Sequence, residues 1–247
     1  MCRLFGHVGT THTTVSQVLG QDNDAFTALS GRHKDGWGLV GLERNGITRR
    51  GDTFAARDSL DYEAAARTLS SSGLLMHYRL ASPGTPVIQE NLHPFEATIT
   101  GVGPVAFAHN GHVFDVPALR GLVAQHSDAP LRGTTDSESY AQLVFALMQQ
   151  MGPERALSTA ASMVQDVTDV VALNAILLTP THLHALQWVE PTPRGDGFPS
   201  APNPDLFAMR MRRSGGGVTV TSNEWEPTTL DWDEMPDRRV LSCERTA

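Results

Sequence analysis

Eight short apolar runs, gathered in groups with helical patterns between the groups, limit the architectures open to this chain. They fall at 3–8, 37–43, 73–80, 104–109, 170–178, 183–189, 206–211 and 218–222, each of strand length and bounded by turn residues. Eight strands suffice for two packed sheets. The clearest helix runs from Thr135 or Asp136 to Met151, where Tyr140, Leu143, Val144, Leu147, Met148 and Met151 follow helical spacing up to Gly152-Pro153. A second helix begins at Pro153 and carries Leu157, Ala160, Ala161, Val164 and Val167 on one stripe. Two more are expected over 59–72, stopped by Gly73, and over 115–125, with Pro117 in its first turn. Because helices separate groups of strands instead of following every strand, the pattern predicts a layered α+β fold, not a doubly wound parallel sheet. No internal repeat is present.

The 247 residues are expected to form a single domain, 1–247, with a core of useful size. Nineteen basic against 27 acidic residues leave a formal charge of −8, which argues against a nucleic-acid partner. No apolar run reaches the length of a membrane span. The opening Met1-Cys2-Arg3-Leu4-Phe5-Gly6, with Asp22 and Asp24 soon after, leaves no room for a secretory signal, so a cytoplasmic location is expected. Cys2 and Cys243 are the only cysteines and do not make a disulfide scaffold. The stretch 190–204 carries five prolines and two glycines and reads as a loop, expected to shape one side of a site. The 43 residues beyond it are too few for a second core.

Several side chains stand out from this framework, each with a plain reading beside a chemical one. Cys2 is a small hydrophobe at a strand start, or, once Met1 is excised, a thiol and an α-amine on one residue, a nucleophile with its own proton acceptor. Arg79 shares a strand face with Leu75 and His77; its guanidinium needs a planar anion, from a protein carboxylate or from a ligand. His109-Asn110-Gly111 closes a strand. Asn-Gly is a strong hairpin signal, and equally an amide side chain and a backbone N–H that can stabilise a developing oxyanion. Thr135 and Glu138 have capping-box spacing, which leaves Asp136 free in the first turn, either to complement the helix dipole or to receive an ammonium group. The glycines of 31–38 turn the chain or admit close packing beside a site; the spacing is not that of a phosphate loop. Ten histidines raise the question of a metal, but His182-x-His184 lacks a third ligand, and no metal site is expected.

Read in chain order, Cys2, Asp35-Gly36-Trp37-Gly38, Arg79-x-x-Ser82-x-Gly84, Asn91-x-His93-Pro94, His109-Asn110-Gly111 and Thr135-Asp136-x-Glu138 resemble the class II glutamine amidotransferases. These are N-terminal nucleophile hydrolases that use cysteine. The resemblance is specific from Cys2 to about Met151 and looser to Glu226. It implies a four-layer αββα sandwich of two antiparallel sheets with the N-terminal cysteine at the mouth between them. It further implies Cys2 as nucleophile, its α-amine as base, and Asn110 with Gly111 as oxyanion hole. Arg79, with Ser82 in the place of an assisting threonine, would hold the substrate α-carboxylate; Asp136 would hold the α-amino group, and His93 would join the substrate-binding residues. No cofactor is implied.

The start Cys2-Arg3, where many members have Cys-Gly, and the late Ser222-Asn223-Glu224-Trp225-Glu226-Pro227 look closer to stand-alone members, including the γ-glutamyl hydrolase of ergothioneine biosynthesis. The expected activity is therefore hydrolysis of a γ-glutamyl amide, glutamine or a conjugate, through a thioester on Cys2. Two other expectations stay open: a glutaminase that supplies ammonia to a separate synthase chain, and a silent module that only binds γ-glutamyl compounds.

Overall fold

The computed structural model describes residues 2–190, 204–229 and 231–245. Most of the proline-rich stretch, 191–203, lies outside the described residues, and so does Met1. The strands are β1 (Arg3–Thr13), β2 (Trp37–Glu43), β3 (Gly46–Asp52), β4 (Ser71–Tyr78), β5 (Phe95–Ile99), β6 (Gly103–Val113), β7 (Val170–Leu178), β8 (His182–Gln187), β9 (Met209–Ser214), β10 (Gly217–Ser222), β11 (Asp233–Glu234) and β12 (Arg239–Glu244). The α-helices are α1 (Val15–Leu19), α2 (Asn23–Ala28), α3 (Leu60–Thr68), α4 (Val116–Ala124), α5 (Asp136–Met148) and α6 (Pro153–Val167). One sheet has the order β11-β9-β10-β1-β4-β2-β3, the other β12-β8-β7-β6-β5, and the strand pairs in both are antiparallel.

Side-chain alternation sorts the core into three apolar layers. Leu4 and Val8 of β1, Val40 and Leu42 of β2, and Leu75 of β4 face the second sheet, where they meet Ala106, Ala108, Ile176, Leu178, Leu183 and Ala185. Their neighbours Phe5, Leu39, Leu74, Met76 and Tyr78 turn outward onto α1, α2 and α3. On the other side Phe107, Leu173, Ala175 and Leu177 pack beneath α4, α5 and α6. Both faces of each sheet are therefore covered, which explains why these antiparallel strands read as continuous apolar runs and not as alternating ones. The sheets approach closely at Gly6, where an added Cβ would lie 2.9 Å from a Leu183 methyl. The result is the expected α+β, four-layer αββα sandwich. Among the described residues no helix is long and apolar enough to cross a membrane.

Several local expectations shift. Thr68 ends α3, and β4 begins at Ser71, earlier than the 73–80 run suggested. The β6 strand passes straight through Asn110-Gly111 to Val113, so this pair forms no hairpin turn: pairing with β7 along the whole segment overrides the local signal. The edge strands β3, β5 and β12 and the short helices α1 and α2 carry too little apolar pattern to stand out in sequence. Thr135 caps α5 by accepting from the Glu138 N–H at 3.1 Å. The Glu138 carboxylate does not return to the cap backbone; it accepts from the N–H groups of Arg132 and Gly133 at 2.7 and 2.8 Å.

Candidate active site

The same alternation that builds the core delivers polar groups to one end of it. Cys2 sits just before β1, two residues ahead of the inward-facing Leu4; Arg79 sits just past the end of β4, in line with Leu75 and His77, and Asn110 follows Ala106 and Ala108 on β6. The Cys2 N–H donates to Asn110 Oδ1 at 2.9 Å across the two sheets, and Asn110 is fully buried with Nδ2 unpartnered. The half-buried Cys2 Sγ sits against the Leu80 backbone, 3.5 Å from its N and 3.7 Å from its O. Burial raises the thiol above its ordinary range, offset in part by the chain's N-terminal charge, the Leu80 N–H, Arg79 and Arg3.

Cys2, Arg79, Ser82, His93, Gly111 and Asp136 line one pocket, together with Thr85, His112 and Thr134. Asn110 joins it through Cys2. Roomier hollows lie elsewhere, one of about 680 Å³ beside Glu154 and His184, but there both side chains are already bonded to Ser242.

Arg79 is 3% exposed. Its guanidinium donates to the Pro86 carbonyl at 3.2 Å and the Asp35 carbonyl at 3.5 Å, and among the described residues it makes no ion pair. Of the two partners open to it in sequence, the internal carboxylate is thus not the one found. Five donors with two long bonds leave the fork free for an anion. Burial lowers its pKa, opposed by Cys2, Asp35 and Asp136.

On the facing wall Asp136 opens α5. Its Oδ2 accepts from the Val113 N–H at 2.9 Å and its Oδ1 from the Ser137 N–H at 2.8 Å, and the Ser137 hydroxyl links it to His109 Nδ1 at 2.9 Å. Gly111 pairs with Leu173, whose N–H is spent on Trp188 on the far side of β7. In an antiparallel ladder that register turns the Gly111 N–H away from β7, the direction the Val113 N–H takes toward Asp136. Glycine is required there because a Cβ would run into the Ala172 carbonyl oxygen. Beneath the pocket the His93 ring stacks on His77 at 4.0 Å. Burial first, then the neighbouring imidazoles and Arg79, hold both rings far below their ordinary pKa and therefore neutral.

Further side chains hold these groups in place. Asp35 Oδ2 accepts from the Ala81 N–H at 2.8 Å and so fixes the loop after Arg79. Arg3, 1% exposed, donates to the Cys2 carbonyl at 2.7 Å and pairs with Glu224; burial lowers its pKa to about 10. The ion pair had a weak signal, an arginine inside an apolar strand. Thr85 and Thr134 had none. Among the described residues no three His, Cys, Asp or Glu side chains gather as a metal-ligand set.

The family model of the class-II glutamine amidotransferases matches residues 1–180. No curated protein matches the chain by sequence. Among solved structures it is similar to the glutamine phosphoribosylpyrophosphate amidotransferase of B. subtilis, at 17% identity and a TM-score of 0.66 over 99% of this chain and 49% of that one. It is similar also to a protein of Silicibacter pomeroyi described as a glutamine aminotransferase class-II domain protein, at 19% identity and a TM-score of 0.63 over 98% and 99% of the two chains. A glutamine amidotransferase described as predicted, from Pseudomonas aeruginosa, gives 16% identity and a TM-score of 0.56 over 100% and 98%. The chain thus spans about half the length of the B. subtilis enzyme. These structural likenesses concern the fold; the family model covers well over half of the sequence, and with it the cysteine at position 2 and the pocket around it: this chain belongs to the class II glutamine amidotransferases.

Proposed function

We propose that this chain hydrolyses γ-glutamyl amides, using Cys2 as nucleophile once Met1 has been removed. The observation that carries this reading is the one pocket lined by Cys2, Arg79 and Asp136: a thiol, a guanidinium without an ion pair among the described residues and a carboxylate match the carbonyl, α-carboxylate and α-ammonium of a γ-glutamyl group one for one. Arg79 grips the carboxylate with Ser82 beside it, Asp136 receives the ammonium, and His93 closes the wall behind.

The freed α-amine takes the proton from Sγ, and the thiolate attacks the γ-carbonyl carbon. Negative charge moves onto the carbonyl oxygen, where Asn110 Nδ2 and the Gly111 N–H stabilise it. As the tetrahedral adduct collapses, the C–N bond breaks and the leaving nitrogen takes the proton from the α-ammonium. Water then attacks the thioester, the α-amine accepts a proton from it, and glutamate departs as Sγ is reprotonated. Asn110 Oδ1, holding the Cys2 nitrogen at 2.9 Å, keeps that base beside the sulfur.

The test is glutamate release from L-glutamine and from a panel of γ-glutamyl amines and thioether conjugates, with intact mass reporting the loss of Met1. Wild-type chain should release glutamate and Cys2→Ala should not; release by Cys2→Ala at a comparable rate removes the thioester route. Preference for a conjugate by orders of magnitude identifies a hydrolase in its own right. Release from glutamine only when a synthase chain is present identifies an ammonia donor, and binding without turnover identifies a silent module.

A further inference from the structure

One buried side chain beside the pocket has no role in that chemistry. Asn91 does not line the pocket, yet it is completely buried, and both ends of its amide are used. Nδ2 donates to the Pro86 carbonyl at 3.0 Å and to Thr134 Oγ1 at 3.2 Å; Oδ1 accepts from the Thr134 N–H at 2.8 Å.

These partners belong to the two loops that carry the opposite ends of the pocket. Pro86 lies on the segment after Arg79, with Ser82 and Thr85, and its carbonyl also receives the Arg79 guanidinium at 3.2 Å. Thr134 precedes the Thr135 cap and Asp136. The approach is close enough that Gly133 admits no side chain, since a Cβ there would meet Asn91 Oδ1 and lie 2.9 Å from the Glu90 carbonyl. Glu138 binds the two preceding N–H groups, so three consecutive amides, of Arg132, Gly133 and Thr134, are fixed by two buried side chains. A planar amide with donor and acceptor at fixed separation sets one loop against the other; an apolar residue of equal size would fill the space and fix nothing.

Building on the γ-glutamyl reading above, we infer that Asn91 is a positioning residue that fixes the distance between the carboxylate-binding side of the pocket at Arg79 and the ammonium-binding side at Asp136, and so selects substrates with an unmodified α-amino-acid head group. The amide acts through Pro86 and Thr134 and contacts no substrate itself. Its removal should weaken capture of the head group and leave the chemistry at Cys2 in place.

The inference is tested by Asn91→Ala and Asn91→Asp, with kinetics of glutamate release and backbone amide exchange of the unliganded chain. For Asn91→Ala, loss of buried hydrogen bonds predicts a rise in KM for L-glutamine of about tenfold or more, with kcat within about threefold. Exchange should speed up together at Thr134 and over 81–88. Asn91→Asp keeps the acceptor for the Thr134 N–H but loses the donor to Pro86, so its exchange should rise over 81–88 alone; it also serves if the alanine variant fails to fold. A fall in kcat at unchanged KM, or faster exchange in one loop only for Asn91→Ala, overturns the inference. Absence of glutamate release from the wild-type chain defeats the γ-glutamyl reading instead, and the exchange data then still decide whether Asn91 joins the two loops.

Discussion

The side-chain amide of Asn110 accepts a hydrogen bond from the Cys2 nitrogen at 2.9 Å through Oδ1 and leaves Nδ2 without a partner. One planar group thus serves two needs, orienting the proposed base and offering a donor for the oxyanion. Asn110→Asp separates them, because a carboxylate still accepts from Cys2 and no longer donates. Its kcat should fall about 100- to 1,000-fold with a smaller change in KM, measured as glutamate release; a variant as fast as wild type excludes Nδ2 from the chemistry.

Arg79 offers the mirror image of that split. Its guanidinium has no internal counter-ion among the described residues, so Arg79→Ala should chiefly affect substrate capture. Loss of a charge-assisted, two-pronged contact of about 2–3 kcal/mol corresponds to a KM raised about 30- to 150-fold. Arg79→Lys should recover only part of it, since an ammonium lacks the planar fork. Initial rates across a wide substrate range provide the check, and an unaltered KM refutes the assignment.

Stability should fall between pH 7 and pH 5.5. Burial lowers His7, His33 and His184 to about 4. For His184 the neighbouring His182 adds to that effect, and His77, His93 and His109 are likewise lowered, first by burial. Such groups stay neutral in the fold but bind protons in the unfolded chain below its ordinary value of about 6.5. Their contribution is therefore complete above about pH 6.5 and is lost as pH falls from there toward the folded value. The loss by pH 5.5 is about 1 kcal/mol for each of His7, His33 and His184. Glu43, where the effect of burial is outweighed by the Ser71 hydroxyl and Arg245 so that its pKa is lowered, contributes fully across this range and loses its contribution only at more acidic pH. Urea midpoints at the two pH values measure the effect, and equal midpoints contradict it.

Arg3 and Glu224 form an ion pair in which the arginine is all but inaccessible and the glutamate side chain is 15% exposed. Glu224 holds φ at +74°, in the left-handed region, where a residue other than glycine persists only when its surroundings fix it. Glu224→Ala leaves a buried guanidinium with the exposed Arg32 nearby, and should destabilise the fold by about 3 kcal/mol. Arg3→Met combined with Glu224→Ala should cost less than the two single changes added together. Denaturation of all four proteins gives the coupling; strict additivity removes the pair from the account.

Much of this architecture was legible because the inner strands are buried on both faces. The runs at 37–43 and 170–178 coincide with β2 and β7, and the stripe from Tyr140 to Met148 marks α5. The edge strands β3, β5 and β12 were not legible: half-exposed residues such as those of Gly46–Asp52 carry no apolar run. Asn110-Gly111 shows why short signals mislead, since a dipeptide suited to a turn lies inside an eleven-residue strand. Of the site, the residue types and their order were visible. The hydrogen bonds that orient them were not, because they join positions far apart in sequence, Cys2 to Asn110 and Arg3 to Glu224.

The close approach of the sheets at Gly6 has a bearing on how this protein fails. Thiol and amide belong to different layers, and the seam between those layers is filled by aliphatic side chains that resist sliding but do not dictate a single alignment. A slip of an ångström there would leave every strand hydrogen-bonded and every helix wound, yet would pull sulfur and amide apart. Heating should therefore extinguish turnover at a lower temperature than it erases the far-ultraviolet signature of the strands.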